Sequence, residues 1–187
     1  MSSLFLQGER PLESAARTDT GRVRKLNEDR YVCDEERALF AVIDGMGGEQ
    51  AGDVAAEITR DCLLSDDDLG EAILEANRRI FERGRETLDQ QGMGCVVTAA
   101  RLRGDQLRLA HVGDTRAYLV RETGCQLLTR DHTVVAEEQE RLALTEAAAR
   151  RLPDQHQVTR DVGGDESMDA ACIDRDTVPF EPGDLLP

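Results

Sequence analysis

Three short stretches of the sequence place carboxylates beside glycines or apolar, strand-like runs. Ala41-Val42-Ile43 leads into Asp44, with glycines at positions 45, 47 and 48. Glu28 and Asp29 follow Arg24 by four and five positions, and Asp114 follows Gly113 at the end of another apolar run. Carboxylate oxygens are the ligands that Mg²⁺ and Mn²⁺ prefer. A pair of such ions about 3.5 to 4 Å apart can activate water for displacement at phosphorus, and the planar fork of an arginine suits phosphate.

Each stretch has a simpler interpretation when it is taken alone. An Asp-Gly pair after an apolar run, such as Asp44-Gly45, is typical of an ordinary turn. Glu28 and Asp29 are compatible with solvated charges at the end of a strand. The metal hypothesis therefore depends on the three stretches occurring together in one short chain.

The elements that would position these residues follow from hydrophobic periodicity and turn residues. Two helices are predicted at about 51–64 and 69–90, the second with Ile73, Ala76, Ile80 and Leu88 on one face. His111 is interpreted as a histidine satisfied within a sheet, and His132 as a local cap at a turn. Two short helices are predicted at 134–144 and 145–152. The predicted strands are 31–34, 38–43, 96–102, 106–112, 117–121 and 126–128.

Four ordered blocks of the sequence, residues 19–29, 42–48, 111–116 and 128–132, resemble the bacterial form of a known enzyme family. This is the PPM, or type 2C, class of metal-dependent serine/threonine protein phosphatases. The resemblance implies an α+β fold, a four-layered αββα sandwich of two antiparallel sheets flanked by helices. It also implies phosphorylated proteins as substrates, an opposing serine/threonine kinase as a partner, and hydrolysis by metal-activated water. Two catalytic Mn²⁺ or Mg²⁺ ions and a third, weaker ion are expected.

Metal-ligand roles can be assigned by position in the matching blocks. The resemblance implies that Asp44 bridges the two catalytic ions and that the carbonyl of Gly45 binds one of them. Glu28 matches a ligand of that same ion, and Asp114 matches a ligand of the third ion.

The resemblance also implies roles for residues that are not ligands. Arg24 matches the phosphate-binding arginine, and Asp29 matches the acid that orients metal-bound waters. Met46 occupies the position where some eukaryotic relatives carry a histidine thought to protonate the leaving group, so that general acid is expected to be absent. The whole chain, 1–187, is expected to form one phosphatase domain, with residues 132–164 as a flap beside the site.

The sequence departs from the family pattern at its end. Residues 180–187 resemble the start of a strand that in the family continues into a Ser-Asp-Gly turn, which is absent here. We therefore expect a domain truncated at the C-terminus, lacking its last strands and several ligands of one catalytic ion. This leaves an alternative function open: an inactive phosphatase-like module that binds phosphoproteins or a regulator through Arg24. A further alternative is a truncated gene product without a stable sheet.

Composition limits the other classes of function. The net charge of -15 and pI near 4.6 argue against nucleic acid binding, which needs clustered positive charge. Lys25 is the only lysine, so residues 45–48 do not form a lysine-containing nucleotide loop. The five cysteines show no C-x-x-C spacing, which favours reduced thiols and a cytoplasmic protein. The first residues lack a signal-peptide pattern, and no apolar run is long enough to cross a membrane.

Overall fold

A five-stranded antiparallel sheet forms the centre of the computed structural model, which describes residues 5–6, 10–149, 151–152 and 157–187. Its strand order is β3-β4-β5-β6-β9, so each strand except β9 pairs with its neighbour in the sequence. Two further antiparallel pairs are β1 with β2 and β7 with β8. The strands are β1 Phe5–Leu6, β2 Arg10–Pro11, β3 Arg30–Asp34, β4 Leu39–Met46, β5 Gly94–Arg103, β6 Gln106–Val112, β7 Tyr118–Arg121, β8 Gly124–Leu127 and β9 Asp174–Pro179.

Two long helices, α1 (Gly48–Ser65) and α2 (Leu69–Glu86), cover one face of this sheet. Their apolar sides pack with the inward residues of β4 and β5 into the main core. The core is aliphatic and rich in alanine, because the sequence has no tryptophan and few other aromatic residues. Asp68 caps α2 by accepting the amides of Gly70 and Glu71, which satisfies donors that the first turn of a helix leaves free.

A second apolar cluster lies at the other end of β5 and β6. It contains the buried side chains of Leu102, Leu107 and Leu109, against which Phe180 and Leu186 pack. The segment after β9 is thereby held to the sheet. It is held as well by a bidentate ion pair between Arg121 and Asp184, whose closest approach is 3.0 Å.

Arg101 of β5 closes the end of α1 from inside the fold. Its guanidinium donates to the carbonyls of Leu63, Asp66 and Asp67, and its side chain is only 3% exposed. The last carbonyls of a helix lack intrahelical partners, so Arg101 supplies a donor to the buried carbonyl of Leu63 and ties the chain after α1 to β5.

The region between β8 and β9 contains two short helices, α3 (Val134–Arg141) and α4 (Glu146–Ala149). Thr133 caps α3 through the amide of Ala136. Residue 150, within the predicted second helix, and residues 153–156, which follow that helix, lie outside the described residues. The chain returns through an antiparallel bridge between Thr133 and Val158 and another between Cys95 and Val162. Whether residues 132–164 act as a flap stays a prediction.

The predicted α+β class with antiparallel sheets and packed helices is confirmed, but several element boundaries differ. Leu88 was predicted on the buried face of α2. The helix ends at Glu86 instead, and Leu88 lies exposed in a separate 3-10 turn. The strand expected within residues 180–187 is limited to a bridge at Leu185, whereas β9 precedes it. None of the helices in the described part of the chain combines the length and apolarity needed to cross a membrane.

Candidate active site

Strand β4 carries the first candidate residue, Asp44, on the solvent-facing side of the sheet. Ala41, Ile43 and Gly45 point into the core, while Val42 and Asp44 lie on the opposite, exposed face. The sequence predicted that the strand would end at Asp44, yet β4 continues to Met46 because β5 pairs with it over its full length. Asp44 is therefore held by regular strand pairing and is not part of a simple turn.

Gly45 and Gly52 allow Glu28 to approach β4. A Cβ atom on Gly45 would overlap the carbonyl of Gly52 and lie 2.7 Å from the carbonyl oxygen of Glu28. A Cβ atom on Gly52 would lie 2.7 Å from Oε1 of Glu28. Contacts this short exclude any side chain at either position. The glycines therefore place helix α1, the Glu28 carboxylate and the backbone after Asp44 in direct contact.

The segment before β3 presents Arg24 and Asp29 beside this contact. Nη1 of Arg24 lies 3.2 Å from Oε2 of Glu28, and the Arg24 side chain is 75% exposed whereas that of Glu28 is 16% exposed. Asn27 accepts the amide of Asp29 at 3.0 Å and donates to Oγ1 of Thr18 at 2.7 Å. The Glu28 side chain is therefore paired and largely withdrawn from solvent, while Asp29 is exposed.

The electrostatics of Asp44 show that several carboxylates meet here. The pKa of Asp44 is raised from 3.8 to about 6, mainly by burial of its carboxyl group and in addition by the charges of Asp29 and Asp114. Arg24 opposes this shift but does not cancel it. The Asp29 and Asp44 carboxyl groups also lie within hydrogen-bonding reach of each other. Acidic groups drawn together in this way favour either a proton or a cation.

Asp114 reaches this cluster through a tight turn after β6. Gly113 adopts φ +107°, and a Cβ atom there would overlap the side chain of Val96. Val96 is the residue of β5 that pairs with Asp44. The turn therefore packs directly on the strand position opposite Asp44, which explains why Asp114 affects the pKa of Asp44.

The donor set of these residues fits a hard divalent cation. It consists of carboxylate oxygens and the Gly45 carbonyl, which suits Mg²⁺ or Mn²⁺ better than soft or imidazole-preferring metals. In the described part of the chain, no three His, Cys, Asp or Glu side chains already converge as a closed metal-binding group. The structure thus brings the predicted residues into one region, and their individual roles stay predictions.

Two buried histidines lie beneath the Asp114 turn, and the sequence predicted the environment of only one of them. His111 and His132 are each 2% exposed, and their ring centroids are 4.9 Å apart. His111 is hydrogen-bonded through both ring nitrogens, as predicted for a sheet histidine. His132 was interpreted as a local cap and instead accepts the amide of Gly113, 19 residues away. No local pattern signals a contact of that sequence separation.

Comparison with known proteins identifies the family. The sequence model of the family described as Protein phosphatase 2C matches residues 17–177, most of the chain. The chain belongs to the protein phosphatase 2C family. It is 31% identical over 187 residues to the serine/threonine phosphatase stp of Listeria innocua, covering 91% of this chain and 73% of that protein. This membership shows that the chain is a phosphoprotein phosphatase of the serine/threonine class.

Solved structures agree with this assignment. The crystal structure of the Mycobacterium tuberculosis serine/threonine phosphatase PstP/Ppp superposes with a TM-score of 0.82 at 32% identity, covering 91% of this chain and 74% of that one. A second structure, the catalytic domain of PstP in complex with two manganese ions, has a TM-score of 0.78 at 31% identity, covering 91% of this chain and 73% of that one. The bacterial form predicted from the sequence blocks is therefore confirmed.

Proposed function

We propose that this phosphatase hydrolyses phosphoserine and phosphothreonine in proteins with the help of Mn²⁺ or Mg²⁺ ions held around Asp44. The observation that supports the proposal is the meeting of three carboxylates: Asp29 and Asp114 lie near enough to Asp44 to raise its pKa, and Arg24 lowers it. When bound, two divalent ions supply positive charge that neutralises the phosphate and lowers the pKa of the attacking water. The third ion near Asp114 belongs to the same proposal.

We assign the holding of these ions to four residues. The Asp44 carboxylate would bridge the two catalytic ions, and the Gly45 carbonyl and Glu28 would complete the protein ligands of one of them. Glu28 is suited to this because its carboxylate is largely withdrawn from solvent and faces Gly52. Asp114 would hold the third ion. Charged oxygen ligands are normally supported by hydrogen bonds from neighbouring groups.

Arg24 and Asp29 would act on substrate and water. Arg24 is mostly exposed and pairs with only one oxygen of Glu28, so its guanidinium can turn to a phosphate with a bidentate geometry that lysine lacks. Asp29 is exposed, and Asn27 fixes it by accepting its backbone amide. Its carboxylate accepts Oγ1 of Thr18 at 3.5 Å and has further lone pairs that can accept hydrogen bonds from waters. These side chains would orient the phosphate and the attacking water relative to each other.

Phosphorylated protein substrates imply a kinase as a second partner of this phosphatase. A protein phosphatase needs phosphorylated serine or threonine in its substrates, and only a kinase supplies that group. We therefore propose an opposing serine/threonine kinase in the same compartment, which we propose to be the cytoplasm because all five cysteines are free.

The first experiment is hydrolysis of a phosphothreonine peptide by the 187-residue chain with added Mn²⁺, with Mg²⁺ in parallel. Asp44→Asn is the blank, because the amide keeps the shape of the side chain and removes its charge. Asp89→Asn, an exposed aspartate on the 3-10 turn after α2, is the matched control. Phosphate release by the wild type and the control, but not by Asp44→Asn, supports the proposal. Full activity in Asp44→Asn contradicts the mechanism.

The alternative function gives a different outcome in the same experiment. A folded chain that releases no phosphate, binds the phosphopeptide tightly and loses that binding in Arg24→Ala would be a phosphopeptide-binding module. Equal binding of phosphorylated and unmodified peptides would exclude that module as well.

A further inference from the structure

His132 lies directly beneath the turn that carries Asp114. Its Nδ1 accepts the amide of Gly113 at 3.1 Å, and the backbone amide of His132 donates to the Gly113 carbonyl at 2.7 Å. The backbone amide and the carbonyl of Gly113 are therefore both hydrogen-bonded to His132. The Gly113 amide is buried, so it would be left without an acceptor if His132 were removed. A buried unpaired amide is costly.

The contacts of the ring fix which nitrogen carries the proton. Nδ1 must be unprotonated to accept the Gly113 amide, so the proton of the neutral ring is on Nε2. Nε2 lies 3.1 Å from Oδ2 of Asp174 and 3.4 Å from Nη1 of Arg160. An ionised carboxylate only accepts hydrogen bonds. Because Nη1 of Arg160 donates to Oδ1 of the same carboxylate at 3.2 Å, we assign the proton on Nε2 to the contact with Asp174. The acid thus selects the tautomer that leaves Nδ1 open for Gly113. Burial lowers the pKa of His132, which is consistent with a neutral ring.

Two other parts of the chain hold this arrangement. Asp174 begins β9 and also binds Nη1 of Arg160 at 3.2 Å. The residue before Arg160, Thr159, donates its amide to the carbonyl of His132 at 2.8 Å. The His132 ring, the Asp174 carboxylate that contacts it and the His132 backbone are therefore each fixed by segments distant in sequence.

The fixed turn has a direct route to the candidate active site. Gly113 packs on Val96, which pairs with Asp44 across β4 and β5. Asp114 follows Gly113 and acts electrostatically on Asp44. A change in the orientation of the Gly113 peptide would move the Asp114 carboxylate relative to Asp44.

We propose that His132 is a positioning residue for Asp114. Its neutral imidazole, oriented by Asp174, accepts the Gly113 amide and so sets the turn that presents Asp114 to the metal-binding region. The effect on metal binding rests on the function proposed above, whereas the effect on the turn does not.

Two substitutions separate the two sides of the ring. In His132→Asn the amide oxygen can occupy the position of Nδ1 and accept from Gly113, but the contact with Asp174 is lost. In His132→Gln the amide nitrogen can occupy the position of Nε2 and donate to Asp174, but the Gly113 amide loses its acceptor. Leu107→Val, in the second apolar cluster at the far end of β6, is the control for a general loss of stability.

The first measurement is hydrogen exchange of the Gly113 amide by NMR in protein without metal. We expect His132→Gln to accelerate this exchange by about tenfold, the factor given by about 1.4 kcal/mol. His132→Asn and Leu107→Val should leave it near the wild-type value. Unchanged exchange in His132→Gln, or equal acceleration in all three variants, would overturn the proposal.

The second measurement is phosphopeptide hydrolysis over a range of Mn²⁺ concentrations. We expect His132→Gln to raise the Mn²⁺ concentration for half-maximal activity by about tenfold, as is common when a partner of a metal ligand is removed. The KM for the peptide should stay near that of the wild type, and His132→Asn should resemble the wild type. A change in KM alone would contradict positioning of Asp114.

The third measurement uses only wild-type protein, so it does not depend on the folding of a variant. The ¹⁵N shifts of the His132 ring should show a protonated Nε2 and an unprotonated Nδ1. The opposite tautomer would refute the proposal. If the hydrolysis assay shows no activity in any protein, the exchange and tautomer results still decide whether His132 sets the turn, and only the proposed function fails.

Discussion

Replacing Asp44 by asparagine should stabilise the chain in the absence of metal. The pKa of this group in the folded protein is about 6 against an ordinary value of 3.8. The unfolded state therefore ionises Asp44 at a lower pH than the folded state does. The contribution of the group to stability falls as pH rises from about 4 to about 6 and then stays constant. Asparagine carries no charge, so the variant avoids this loss.

The size of the stabilisation expected for Asp44→Asn follows from the shift in the pKa of Asp44. A pKa raised from 3.8 to about 6 corresponds to about 3 kcal/mol at neutral pH, at about 1.4 kcal/mol for each pH unit. Asp44 lies on an exposed face of the sheet, and solvent screening reduces such interactions substantially. We therefore expect a gain of about 1 kcal/mol, which for a domain of this size raises Tm by about 2 to 4 °C.

The assay is urea or thermal unfolding in EDTA at pH 7.5 and at pH 4, with Asp131→Asn as the matched control. The Asp131 carboxylate is paired with Arg116, so its neutralisation should destabilise the fold. The gain of Asp44→Asn should be present at pH 7.5 and shrink toward zero at pH 4. A loss of stability at pH 7.5, or a gain that does not depend on pH, would refute the electrostatic reasoning.

Three further predictions concern other parts of the fold. Arg101→Ala should lower the free energy of unfolding in urea by about 2 to 4 kcal/mol, because it removes a buried side chain and leaves the buried carbonyl of Leu63 and the part-buried carbonyl of Asp66 without a donor. A change below about 0.5 kcal/mol would contradict the buried cap. Ala143→Gly should raise that free energy by about 0.5 to 1 kcal/mol, since Ala143 has φ 49°, and a lower Tm would argue against this conformation. In a thiol-reagent titration of the native protein, exposed Cys33 and Cys125 should react rapidly. Cys95 should stay unreactive, because burial raises its pKa to about 12. Rapid modification of Cys95 without unfolding would show that it is accessible.

Much of the fold could be predicted where a local pattern and its structural cause coincide. Ile73, Ala76 and Ile80 recur at helical spacing, and all three are buried on the side of α2 that faces the core. Asp44 and Gly45 were predicted from an apolar run entering a glycine-rich segment, and the glycine is required because α1 packs on it. In both cases the residue types alone restrict which structure can form.

The misses have physical causes that lie outside any local window. Leu88 continues the spacing of the buried face, but the helix ends at Glu86 and the chain turns away. Strand β9 is mostly polar and exposed, so its pairing with β6 depends on a neighbour more than 60 residues earlier. The neighbours of His132 in the sequence indicate a turn and hence a cap, whereas its partners Gly113 and Asp174 are supplied by tertiary structure.

The candidate active site and the stability of the fold are linked by the same charges. Asp29 and Asp114 disfavour the charged form of Asp44 in the folded chain, and the opposing charge of Arg24 is shared with Glu28. A cation that binds the folded state but not the unfolded state stabilises the fold by an amount that grows with its concentration. Mn²⁺ should therefore raise the Tm of the wild type more than that of Asp44→Asn, even in a preparation without phosphatase activity. This difference would locate metal binding at Asp44 independently of turnover, and equal shifts in the two proteins would place the ion elsewhere.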